Sequence, residues 1–275
     1  MKKRLVTLVA IVALVALVAG MTVGLTACND SDDWDYISEK GELVIGITYF
    51  APMNYFDTDG TTLIGFETEF ATEVCNLLGV TPKFQEVNWD SKIVELQSKS
   101  VDVIWNGMTI TEELRTNMDI SNPYMTNRQV AVIRKADAEK YTSLASMAGA
   151  KLGAEKSSAG ERAIADTAEL SSNPYSALEA QSNVLVELKS GTIDVGFIDI
   201  VMATASVGEG TDYNDLVMLD SVLIGDGEFY GVGMRKDSPE TLAKINEAIK
   251  TLYDNGKLLS IAEKYGLASA LVAQD

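Results

Sequence analysis

The sequence predicts an α/β protein built from two similar lobes, and three observations carry that expectation. Strand-like and helix-periodic segments alternate over the first half of the chain. Residues 43–48 (LVIGIT), 82–87 and 101–105 (VDVIW) are β-branched or apolar runs, separated by segments with helical spacing. Strand, helix, strand, helix, strand is the pattern of a layer with a parallel sheet. The same unit then recurs: "LQSKSVDVIW" in the first half is echoed by "LKSGTIDVGF" in the second. Two such units fit two lobes better than a single barrel, which needs eight strand–helix repeats.

The elements follow in order. The first strand is followed by turn chemistry in "DTDG", residues 57–60. Phe66, Phe70, Val74, Leu77 and Leu78 then recur at helical spacing, and Gly79 supplies the C-terminal stop. Ile93, Val94 and Leu96 line a short helix. In the second unit, residues 151–155 (KLGAE) form a strand, a Ser/Gly loop opens a helix at Gly160, residues 177–188 form a second helix, and 193–198 (IDVGFI) return as a strand. Residues 229–235 are expected as one strand. Ser238-Pro239-Glu240 reads as N-cap, first-turn proline and N-terminal acid. Leu242, Ile245, Ile249 and Leu252 stripe the helix behind it, and a last helix over 257–265 ends at Gly266.

The chain of 275 residues opens with Lys2, Lys3 and Arg4, then an apolar run ending in Leu25-Thr26-Ala27-Cys28. Positive charge, a short apolar stretch and small residues describe a secretory signal. The apolar core of 15 residues, 5–19, is short against the roughly 20 a spanning helix needs. The Cys after Leu-Thr-Ala resembles a bacterial lipobox, which implies cleavage before Cys28 and lipidation of that residue. Residues 1–27 are then the signal and 28–41 a lipidated tether, with 29–33 (NDSDD) of the polar type that stays disordered. Without the three signal cations, 19 basic residues face 40 acidic ones, a formal charge of −21. Such a surface repels phosphate backbones, so nucleic acid is not an expected partner. There is no histidine, which removes the commonest general base, the Ser-His-Asp triad and the usual zinc ligand. No enzyme activity, cofactor or metal is expected. With Cys28 lipidated, Cys75 is the one remaining thiol, so packing and not disulfides must hold the fold.

The segment 41–80, with "GMTIT", "DISNPY", "LGAEKSSAGE", "IDVGFID" and the stretch from Gly231 to Gly266, occurs in an order that resembles the polar amino-acid-binding proteins of ABC importers, the extracellular solute-binding proteins of family 3. The resemblance implies a type II periplasmic-binding-protein-like fold: two α/β lobes joined by two hinge strands that close on a ligand. Lobe one is expected as 42–132 plus 232–275 and lobe two as 133–231. It also implies a small polar nitrogenous solute, a partner permease with its ATPase, and a location on the extracytoplasmic face of the cell membrane through the lipid anchor.

Residue by residue, the resemblance places Phe50 and Trp89 as an aromatic sandwich. Gly107 and Thr109 would meet the solute through a carbonyl and a hydroxyl. Ser157, Ser158 and Ala159 form a loop at a helix start, which can present N–H groups to an anion. Asp199 would receive an ammonium, although an acid there can also cap the helix that follows. One position departs from the pattern. Leu114 stands where the family carries an arginine that grips the carboxylate in a bidentate fork, a geometry other cations do not reproduce. Arg115 and Arg128 are the possible substitutes, with solvated surface arginine as the plain alternative for both. Other readings of the same scaffold are an enzyme of the cyclohexadienyl-dehydratase type and a ligand-free adhesion or signalling protein; fold alone does not separate them.

Overall fold

The computed structural model describes residues 32–274, without the side chains at 220, 221, 223 and 226. The signal segment and Cys28 lie outside the described residues. Two five-stranded sheets organise the chain. The first contains β1 (Glu42–Ile47), β4 (Thr81–Glu86), β5 (Val103–Ile104), β6 (Met118–Ile120) and β12 (Gly233–Arg235), in the order β4-β1-β5-β12-β6. A small hairpin, β2 (Tyr55–Phe56) with β3 (Leu63–Ile64), stands beside it. The second sheet contains β7 (Met125–Arg134), β8 (Leu152–Glu155), β9 (Tyr175–Leu178), β10 (Val195–Asp199) and β11 (Leu216–Tyr230), in the order β11-β7-β10-β8-β9.

The internal repeat seen in the sequence is a repeat of topology. In each sheet three parallel strands, β4-β1-β5 or β9-β8-β10, are extended by antiparallel neighbours. The central parallel strands β1, β5, β8 and β10 are buried beneath covering helices, while the edge strands β4 and β9 are partly exposed. Helices α2 (Phe66–Leu78), α8 (Pro239–Asp254) and α9 (Lys257–Lys264) cover the first, with Phe66, Phe70, Val74, Ile245, Ile249 and Leu258 turned inward. Helices α5 (Ala159–Asp166), α6 (Gln181–Ser190) and α7 (Ile200–Ser206) cover the second. Short helices α3 (Lys92–Gln97) and α4 (Glu112–Asn117) flank the first sheet.

Several expectations are corrected. Residues 177–188 are not one helix: Tyr175–Leu178 adds in parallel to the edge of β8, and α6 begins only at Gln181. The apolar residues there serve a sheet edge first, and a short apolar run does not by itself separate strand from helix. Residues 229–235 are not one strand. Tyr230 ends β11, Gly231 and Val232 cross between sheets, and β12 begins at Gly233. The outward crossing runs through residues 121–124, since β7 pairs in the second sheet from Met125 onward; the division expected after Val132 falls inside that strand. The supposed tether is also ordered from Asp32. Helix α1 (Asp33–Lys40) buries Ile37 against the first sheet's core. The Asp32 carboxylate caps α1 through the Trp34 N–H and simultaneously caps α8 through the N–H groups of Glu240 and Thr241. Ser238, expected as that cap, makes no side-chain cap bond.

Candidate functional site

Ligand sites in open α/β sheets gather at the carboxyl ends of the parallel strands. Here three such ends converge on one cavity between the sheets. β5 runs into Asn106, Gly107, Met108 and Thr109; β8 ends in Glu155; β10 ends in Asp199. The wall is completed by Trp89 and Lys92 on the first-sheet side, by Gln129 of β7, and by Ser157, Ser158, Ala159, Gly160, Arg162 and Gln181 on the second-sheet side.

Asp199 is 3% exposed. Its carboxylate accepts from the side-chain amides of Asn127, Gln129 and Gln181, and its N–H donates to Gln181 Oε1 at 3.0 Å. These partners are neutral, and no cation of the described residues pairs with it. It does not cap α7, so the capping alternative is excluded by geometry. Burial pushes its carboxyl up to about 6, and repulsion from Glu228 adds to this while the amide donors resist it. Glu228 shares the same amides, accepting from Asn127 at 2.9 Å, Gln129 at 3.0 Å and the Thr109 hydroxyl at 3.2 Å. A second buried acid, Glu155, is pushed up to about 8 by desolvation and then by Asp199. Lys92 is driven the other way, down to about 8 by burial; it donates to the Trp89 and Ser157 carbonyls and stands 4.7 Å over the Trp89 ring.

The cavity thus brings together Trp89, Gly107, Thr109, Ser157, Ser158, Ala159 and Asp199 from the sequence reading. It does not include Phe50, Arg115 or Arg128. Phe50 is buried against Gly107, where a Cβ would meet its Cζ at 2.9 Å, so the expected sandwich is one ring, Trp89, with a resident ammonium on it. Arg115 is exposed, because one residue along a helix turns the side chain by roughly 100° away from Leu114, which does line the cavity. Arg128 fails by strand alternation: Asn127 and Gln129 face Asp199, so Arg128 faces the opposite side, lining a groove with Thr204 and Gly266. The serine hydroxyls are already engaged. Ser158 Oγ caps α5 at the Glu161 N–H, and Ser157 Oγ donates to Asp90 across the cleft at 2.6 Å.

Sequence reasoning missed Lys92, Gln129, Glu155, Arg162, Gln181 and Glu228. Two signals were available. Glu155 closes a strand whose four residues are all buried, an unusual place for an acid. Asn127 and Gln129 are buried polar residues at alternate positions of β7, between the less buried Thr126 and Arg128. Arg162 has no comparable local mark; α5 alone carries it to the cavity, without an ion-pair partner among the described residues.

A two-lobed α/β receptor with a polar, charged cavity between its sheets is the class this geometry defines. Residues 43–268 match the bacterial extracellular solute-binding proteins, family 3, and the chain belongs to that family. It is similar to the arginine-binding extracellular protein ArtP of Bacillus subtilis, at 29% identity over 96% of this chain and 98% of that protein. It is similar also to the L-cystine-binding protein TcyJ of Escherichia coli, at 28% identity over 90% of each. Among solved structures, a substrate-binding protein of an ABC uptake transporter from Streptococcus pneumoniae with bound histidine aligns with a TM-score of 0.78, at 31% identity over 88% of this chain and 99% of that one. These relatives are named as binding proteins. No helix among the described residues is long and apolar enough to cross a membrane.

Proposed function

We propose that the protein is the solute-binding component of an ABC importer, capturing a small amino acid or related nitrogenous solute by closing its two lobes. The observation that carries this reading is Asp199: a buried carboxylate at a strand end, fixed by three neutral amides and lacking a cation. An ammonium on the solute supplies the missing charge. A charge pair of this desolvated kind typically costs about 2–5 kcal/mol when one partner is removed. The names of the relatives, which bind arginine, cystine and histidine, support an amino acid.

The solute's carboxylate, if it has one, meets Arg162 and the N–H groups of Ala159 and Gly160, which as first-turn donors have no intrahelical partner. This replaces the grip that Leu114 cannot make. Closure turns on the two crossings, residues 121–124 and 231–232, and is fastened at the rim. Asn88 donates to Glu179 at 3.0 Å, Lys156 pairs with Asp90 at 2.7 Å, and Lys92 donates to the Ser157 carbonyl at 3.1 Å. The two exposed contacts, Asn88–Glu179 and Lys156–Asp90, are each worth little, with exposed ion pairs contributing about 0–1 kcal/mol. Their sum biases a hinge without locking it, which suits a receptor that must release its cargo.

Anchoring by lipid on Cys28 belongs to the same proposal. One acyl chain binds a membrane only marginally, so a stable anchor carries more than one. The receptor reading is tested by a thermal-shift panel of amino acids, their amides, amines and short peptides, followed by scattering. A solute at about 100 times Kd stabilises by about 2.7 kcal/mol and should shrink the radius of gyration. A stabilising solute that leaves the lobes as far apart as before would remove the closure mechanism; turnover of that solute would favour the enzyme reading.

A further inference from the structure

We propose that Glu155 receives a second cationic group of the solute, so that this receptor selects amino acids with a positively charged side chain. This rests on the receptor reading, in which Asp199 takes the α-ammonium. Glu155 is 3% exposed, lines the cavity, and its Oε1 is buried without a hydrogen-bond partner. Buried carboxylates in folded proteins are paired or hydrogen-bonded, because an uncompensated one costs several kcal/mol. The neighbours compensate it only in part: the Lys92 charge and the Gln181 N–H favour the ionised form, yet neither leaves Oε1 with a hydrogen-bond partner. Lys92 directs its ammonium at two carbonyls and the Trp89 ring, and no ion pair joins it to Glu155. Asp199, at the end of the adjacent parallel strand, repels it.

Glu155 and Asp199 therefore form an acidic wall at the ends of two neighbouring strands, which lie roughly 4.8 Å apart in any sheet. Glu228 adds further negative charge behind Asp199, through the amides of Asn127 and Gln129. An extended solute with a cation at each end can reach both acids. Its carboxylate is left to the Arg162 side of the cavity.

The charged groups facing Glu155 set the pH response. They are Lys92 from α3, Asp199 from β10, the Tyr175 hydroxyl from β9 and, on the same cavity wall, Arg162 of α5. With Glu155 held up to about 8, the empty site carries a proton there at neutral pH. A cation seated against the carboxylate displaces it. Affinity for a cationic solute should therefore rise as pH goes from 6 to 8. Lys92, down to about 8, loses its own charge over the same range and pushes the same way.

The test is calorimetric titration of the mature protein and of Glu155→Gln with L-arginine, L-lysine and L-citrulline, the last an uncharged near-isostere of arginine. The expected result is at least tenfold tighter binding of arginine or lysine than of citrulline in the wild type, with the preference reduced to threefold or less in E155Q. Equal loss for charged and uncharged solutes would mean that Glu155 only supports closure, and would overturn the proposal. So would a wild-type preference for citrulline or another neutral amino acid, which leaves the receptor reading standing. If none of the three binds, the proposal falls, while the receptor reading is decided by the wider panel of amides, amines and peptides. Should E155Q not fold, the wild-type ratio of arginine to citrulline, measured at pH 6 and pH 8, decides alone: a ratio that does not grow with pH refutes the assignment.

Discussion

Replacing Asp199 with asparagine should make the empty protein more stable while ruining its receptor function. The carboxyl is raised from the ordinary aspartate range to about 6, chiefly by burial. A rise of about two pH units corresponds to roughly 3 kcal/mol of native-state penalty once pH exceeds both values. The sign follows from proton counting. Between about pH 4 and 6 the folded protein holds a proton that the unfolded chain has released, so stability falls as pH rises through that window and is flat above it. Asparagine carries no charge and escapes the penalty. Part of the gain is lost, because its N–H groups face the amides of Gln129 and Gln181. The buried, unpartnered Asn127 Oδ1 can accept one of them. Allowing about 1 kcal/mol for the imperfect hydrogen bonding, the net gain is about 2 kcal/mol, or roughly 4–8 °C in a chain of this size. Affinity for the solute should fall by about 2–5 kcal/mol, which is thirtyfold or more. Differential scanning calorimetry of both proteins at pH 4.5 and pH 8, with titration of the best panel solute, measures each part. The reasoning fails if D199N is less stable than wild type at pH 8, or if the gain is the same at both pH values.

Arg162→Ala should weaken binding of a carboxylate-bearing solute at least tenfold, while Arg115→Ala and Arg128→Ala stay within about twofold; a large loss at Arg115 or Arg128 in a folded protein would show that one of them holds the carboxylate instead. Gly107→Ala should destabilise by about 1–3 kcal/mol, since φ is +56°, the new Cβ would meet Phe50 at 2.9 Å and the Tyr230 ring at 3.3 Å, and the N–H must still reach Glu67. Equilibrium denaturation checks it, and an unchanged midpoint would show that the backbone there relaxes freely. Cys28→Ala should leave the precursor uncleaved or release the protein from the membrane, as fractionation would show; a mutant processed and retained like wild type would exclude the lipid anchor.

What the sequence determined by itself were the features written in local pattern. The alternation of strand and helix, the doubled unit in "VDVIW" and "IDVGF", the glycine stops and the strand-end aspartate are all set by neighbours within a few residues. The family motifs and the leucine at 114 belong here too, since they are matters of order and spacing. The cavity was decided elsewhere. Whether Arg115, Arg128 or Arg162 faces it depends on helix phase, strand parity and the approach of α5 from the other lobe, residues far apart in the chain. Phe50 could line the Asp199 cavity or stand behind it with the same local sequence, and only its packing on Gly107 sets it behind the wall. Residues 229–235 carry the composition of one strand, yet they split between two sheets because Tyr230 pairs with Met125 and Gly233 with Ile104 and Ile120. Long-range pairing of this kind leaves no periodic trace, and it is what sets Glu155 beside Asp199 with an oxygen unpartnered.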